Sequence, residues 1–124
     1  MAAAQPKIPG PDHPITISGS PKRVRVRLGG DVIADTSDAL DLQESTYPVV
    51  HYVPRSAVKM DRLEKTAHST HCPYKGDASY FSILGKDGTR VENAVWSYET
   101  PFPAMKEITG YLAFYPNKVE ISAG

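Results

Sequence analysis

Apolar and polar positions alternate with a period of two along most of the chain. Ile15 and Ile17 alternate with Thr16 and Ser18, and beyond Gly19 to Pro21 the residues Val24, Val26 and Leu28 alternate with Arg23, Arg25 and Arg27. Alternation of this kind sends successive side chains to opposite faces of a strand. Gly29-Gly30 then offers a tight turn and Asp31 to Asp35 a returning partner, which predicts a β-hairpin. Further β segments are expected at Ala39 to Gln43, at Val49 to Val53 between Pro48 and Pro54, at Asp77 to Leu84 and at Ala94 to Glu99. Tyr111 to Tyr115 and Lys118 to Ile121, joined at Pro116-Asn117, read as a closing hairpin. Two segments suit short helices: Ser56 to Leu63 with Ser56 as cap, and Pro103 to Thr109 with Gly110 just past its end. Seven to nine short strands with at most two short helices predict a mainly β, small antiparallel domain.

The alternation also assigns side chains to faces. Val49, His51 and Val53 share one face of their strand, and Val50 and Tyr52 the other. Ala78 and Tyr80 point together, as do Trp96 and Tyr98, so the two aromatic residues of the later strand project into one space. Residues 1–12, rich in Ala and Pro, read as a flexible arm preceding a single β-rich domain over 13–124.

Composition narrows the field. Lys plus Arg and Asp plus Glu stand at 14 each in 124 residues, a balance that gives no net field for nucleic acid or an anionic membrane. The arginines at 23, 25 and 27 are read as cross-strand partners of Asp31, Asp35, Asp38, Asp41 and Glu44 before they are read as an anion site. One cysteine excludes an internal disulfide, and neither an export signal nor an apolar run of about 20 residues is visible, so a cytoplasmic protein off the membrane is expected.

Candidate chemistry gathers at Thr70 to Tyr80, where Cys72, Tyr74 and Lys75 stand beside Pro73 and Gly76. Cys72 is a possible nucleophile, although a packed thiol is the simpler reading, and His51 is a possible proton carrier. His68, His71 and Cys72 lack the further paired ligand that a structural zinc needs, so no metal or other cofactor is expected. Arg55, Tyr74, Lys75, Tyr80, Trp96 and Tyr98 are the expected binding set. Clustered phenol and indole groups need partners when buried, and lining a cleft for a small polar or anionic molecule, or a peptide segment, supplies them.

Several motifs in order carry a resemblance: His13-Pro14-Ile15-Thr16-Ile17, Tyr52-Val53-Pro54-Arg55, His71-Cys72-Pro73-Tyr74-Lys75-Gly76, Ala94-Val95-Trp96-Ser97-Tyr98-Glu99 and Gly110 through Pro116. From His13 to Ile121 the chain resembles the bacterial family catalogued as domain of unknown function 427. That resemblance implies a β-tent-like fold of two angled antiparallel sheets, as in methionine sulfoxide reductase B and the ligand-binding domain of cereblon. The family also carries a nucleotidyltransferase label. Transfer with two metal ions calls for converging carboxylates, and the chain has no Asp-x-Asp pair, so the label predicts little here. A binding domain is expected before an enzyme built on Cys72 or His51.

Overall fold

A computed structural model describes residues 6–124. Ten strands follow in order: β1 (Ile15–Gly19), β2 (Val24–Leu28), β3 (Asp31–Thr36), β4 (Leu40–Glu44), β5 (Val50–Tyr52), β6 (Leu63–Cys72), β7 (Gly76–Leu84), β8 (Arg90–Ser97), β9 (Leu112–Phe114) and β10 (Glu120–Ala123). They pair antiparallel in three sheets, ordered β1-β4-β5, β10-β2-β3 and β6-β7-β8-β9. The mainly β, antiparallel expectation holds, with three sheets in place of two. Of the arm, residues 1–5 lie outside the described residues; beyond them the Lys7 amide donates to the Pro73 carbonyl at 2.9 Å, and Gly10 bridges His13.

The two faces of the four-stranded sheet serve different clusters, as period two requires. Phe81, Ile83, Val95 and Phe114 pack with Val24, Val26, Ile33 and Ala34 of the β10-β2-β3 sheet. Ala78, Tyr80, Trp96 and Ala113 pack instead with Leu40, Leu42, Val50 and Tyr52 of the β1-β4-β5 sheet. Just past β5 the chain joins the four-stranded sheet, because Val53 and Leu112 exchange both backbone hydrogen bonds at 2.8 Å. The sheets are thus pinned along that edge.

Four local expectations are corrected. Ser56 to Leu63 is not a capped helix. It holds two 3-10 turns, Arg55–Ala57 and Met60–Arg62, separated by an extended Val58 that bridges Ala34. Pro103–Ile108 is likewise a 3-10 segment broken at Met105, its buried Met105 and Ile108 facing the second cluster. The closing hairpin does not form: β9 pairs with β8 and β10 with β2, so Pro116-Asn117 carries the chain between sheets. The strand expected from Ala94 begins at Arg90, with a register shift opposite Phe81 and Ile83 that interrupts its alternation. No helix among the described residues is long and apolar enough to cross a membrane.

Candidate functional site

Beyond the Val53–Leu112 joint, the β1-β4-β5 and four-stranded sheets diverge around a cleft of about 520 Å³. That volume suits a small organic molecule. One wall comes from β4, β5 and the connection between them, through Leu42, Glu44, Tyr47, Pro48, Val50 and Tyr52. The facing wall is Tyr80, Trp96 and Tyr98 with Phe114 and Tyr115.

Strand register explains the second wall. Tyr80 and Trp96 are direct partners across β7 and β8, and Trp96 faces the small Ala113 on β9. The Trp96 and Tyr115 ring centroids are 4.5 Å apart, and Tyr80 and Tyr115 stack with planes 13° apart at 6.4 Å. Polar ends are mostly paired. The Trp96 indole donates to the Tyr52 hydroxyl at 3.3 Å, and the Tyr80 hydroxyl pairs with Thr70 Oγ1 at 2.8 Å and with the Tyr115 hydroxyl at 3.3 Å. Tyr98 is only 7% exposed, yet among the described residues its hydroxyl has no hydrogen-bond partner. Burial pushes the Tyr52 and Tyr98 phenols well above their ordinary pKa, so both remain O–H groups. Tyr115 is raised to about 12, by burial first and by its bond to Tyr80 second.

Charge enters with Lys75 and Glu44, both of which line the cleft. The Lys75 ammonium, carried on the β6–β7 turn, is bonded to Glu44 Oε1 and lies 3.9 Å from Cys72 Sγ. Glu44 Oε2 pairs with His13 Nε2 at 2.8 Å. Burial works to raise the Glu44 pKa, but hydrogen bonds to Lys75 and His13 outweigh it and hold the carboxyl below its ordinary value. Glu44 is therefore an anion at neutral pH with both oxygens engaged.

The predicted residues divide. Lys75, Tyr80, Trp96 and Tyr98 meet at the cleft. Arg55 does not line it: its guanidinium donates to the Gly110 carbonyl at 2.8 Å and to Glu99 at 2.9 Å, and lies over the Phe81 ring on the other face of the four-stranded sheet. Tyr74 is also outside the lining, stacked on His13 at 4.3 Å with Lys7 over its ring. Cys72 does not line the cleft but is half-buried, 3.9 Å from the Lys75 ammonium and packed against the cluster that holds Tyr80 and Tyr98. His51 borders the cleft, but it pairs in register with Asp41, and its Nδ1 is 2.5 Å from Asp41 Oδ1. That shared face is opposite the one carrying Leu42, Val50 and Tyr52. The remaining histidines of the central stretch have separate neighbours, His71 with Asp77 at 2.7 Å and His68 against the Tyr80 ring. Arg23 and Arg25 pair with Asp35, at 2.7 and 3.4 Å, as cross-strand pairing requires.

Sequence reasoning missed Glu44 and Tyr52 as site residues. Tyr52 was within reach, because its alternation with His51 already gave it a face of its own. Glu44 was not, since its partner Lys75 lies 31 residues away and no local pattern joins them.

No curated protein matches the chain. A family model described as a domain of unknown function (DUF427) matches residues 16–123, a span holding every strand but the first residue of β1. The cleft and both of its walls lie within that span, and the chain belongs to the DUF427 family.

Proposed function

We propose that the cleft between the β1-β4-β5 and four-stranded sheets is a binding site for a small organic molecule with a flat or apolar body and at least one polar group. The observation that carries this is the Tyr98 hydroxyl, unpaired among the described residues on a side chain only 7% exposed, within a wall of aromatic rings. A phenol in such a place is a donor available to a ligand that enters the cleft. Binding is favoured over catalysis because neither candidate reactive group has a free partner: the Lys75 ammonium beside Cys72 is held by Glu44, and His51 is engaged with Asp41.

Trp96 is the chain's one tryptophan, so its emission reports on this cleft alone. A metabolite screen by thermal shift is expected to yield compounds that stabilise the folded chain and perturb Trp96 emission together. A ligand at 100 times its Kd adds about 2.7 kcal/mol. Tyr80→Ala should abolish both responses. Hits whose stabilisation survives Tyr80→Ala unchanged, or a screen with no hit that moves Trp96, would remove the proposal.

A further inference from the structure

We infer that the molecule taken by this cleft is uncharged and offers a hydrogen-bond acceptor, such as a carbonyl or amide oxygen, to the Tyr98 hydroxyl; the inference rests on the binding reading above. The charges at the cleft are already matched. Lys75 is held by Glu44 Oε1, and Glu44 Oε2 by His13. An incoming carboxylate or ammonium would add a further charge to a set that is already matched. That charge would stand uncompensated beside groups whose side-chain exposure is 9% for Lys75 and 16% for Glu44. Unpaired charge in such surroundings is strongly disfavoured.

Aromatic walls also attract cations through their ring faces. Here part of that ring surface is already engaged. Tyr115 lies against Trp96, and the Lys118 ammonium is already 5.7 Å over the Tyr115 ring. His68 covers Tyr80 with centroids 4.4 Å apart.

The phenols supply the positive part of the argument. Tyr52 accepts from Trp96, while Tyr80 and Tyr115 bond to one another. Tyr98 alone of these four has no partner among the described residues. Its hydroxyl is also not sealed off, since the only fully enclosed unpaired side-chain atom among them is Arg62 Nη2. The Tyr98 O–H is therefore an accessible donor without an acceptor among the described residues, on a side chain that lines the cleft.

Three probes of one shape separate the charge states: benzamide, benzoate and benzylammonium, titrated at matched ionic strength and followed by Trp96 emission and by the Trp96 indole N–H resonance. Benzamide is expected to saturate and to bind about tenfold or more tightly than either ion. Tyr98→Phe should weaken benzamide about five- to tenfold, the loss expected for one hydrogen bond. Tighter binding of benzoate or benzylammonium would overturn the charge assignment and leave the binding reading standing. Unchanged benzamide affinity in Tyr98→Phe would overturn the role of Tyr98. No saturable response to any probe overturns this inference alone when the metabolite screen is positive, and the binding reading with it when the screen is negative.

Discussion

Lys75 and Glu44 lie 31 residues apart in the chain and meet as an ion pair in the lining of the cleft. Lys75 rides the β6–β7 turn and Glu44 ends β4, so the pair ties the four-stranded sheet to the β1-β4-β5 sheet. The backbone joint at Val53 and Leu112 ties the same two sheets through β5 and β9. One tie is electrostatic and the other is backbone, and the hollow lies where the strands between them part.

Breaking the ion pair from one side should destabilise the fold. Lys75→Met leaves Glu44 with His13 alone, and Glu44→Gln leaves a nearly buried ammonium without its anion. Each is expected to cost about 3 kcal/mol in urea unfolding, near the lower end for a buried pair. Replacing both, Lys75→Met with Glu44→Leu, should recover most of that loss, because no charge is left unmatched. Single variants within about 0.5 kcal/mol of the parent, a range typical of exposed pairs, would show that the pair is effectively solvated.

Acid should reveal the same carboxylate. The Glu44 carboxyl titrates below its ordinary value of 4.5 in the folded chain, so on acidification the unfolded chain takes up its proton first. Stability from Glu44 is then complete above the unfolded value and is lost as pH falls through the folded one. Asp31, Asp35 and Glu99 shift in the same direction, through hydrogen bonds first to Lys86, Arg23 and Lys65. Unfolding free energy should hold steady down to about pH 5 and decline below it, with a shallower acid limb in Glu44→Gln. An acid limb of unchanged slope in that variant would remove Glu44 from the account.

Alkali acts through the phenols. Burial raises the pKa of three of the seven tyrosines, Tyr52, Tyr98 and Tyr115. Tyr115 should ionise at about 12, and Tyr52 and Tyr98 only as the chain unfolds. A folded pKa above the unfolded one means that the folded chain keeps its proton longer. Stability is therefore whole below pH 10 and falls as pH rises beyond it. The late part of the rise in tyrosinate absorbance with pH should be smaller in Tyr52→Phe and in Tyr98→Phe. A late rise that neither substitution reduces would contradict the burial of both.

The sequence made the β2–β3 hairpin readable because Arg23 to Leu28 alternates strictly and Gly29-Gly30 follows, both glycines at positive φ. It also put Trp96 and Tyr98 in one space, because period two needs no knowledge of the partner sheet. The ten-residue β6 was hidden for the opposite reason. As an edge strand, largely exposed from Glu64 to His71, it has no buried side to impose alternation on its residues. The fates of β9 and β10 were equally hidden: a Pro-Asn turn is a local signal, whereas the choice of β8 and β2 as partners is decided by distant cores. Arg55 misled because a cation near aromatic residues in sequence says nothing about which face of a sheet it will occupy.

Gly76 links backbone geometry to the ion pair. It opens β7 immediately after Lys75 at φ +111°, a conformation that side chains with a Cβ rarely adopt. An added Cβ would lie 3.5 Å from the Phe102 nitrogen, whose N–H donates to the Lys75 carbonyl at 3.0 Å. Space is therefore adequate, and the penalty in Gly76→Ala is backbone strain of about 1–3 kcal/mol. Relief of that strain rotates the peptide that aims Lys75 at Glu44. Gly76→Ala and Glu44→Gln should consequently not add: the double variant should be more stable than the sum of the singles implies, by more than about 0.5 kcal/mol. Gly19→Ala, at a position with open space around its Cβ and no positive φ, is the control and should add normally. Full additivity for Gly76→Ala would mean that the turn absorbs its strain without moving the lysine, and that the ion pair is aimed by something other than this glycine.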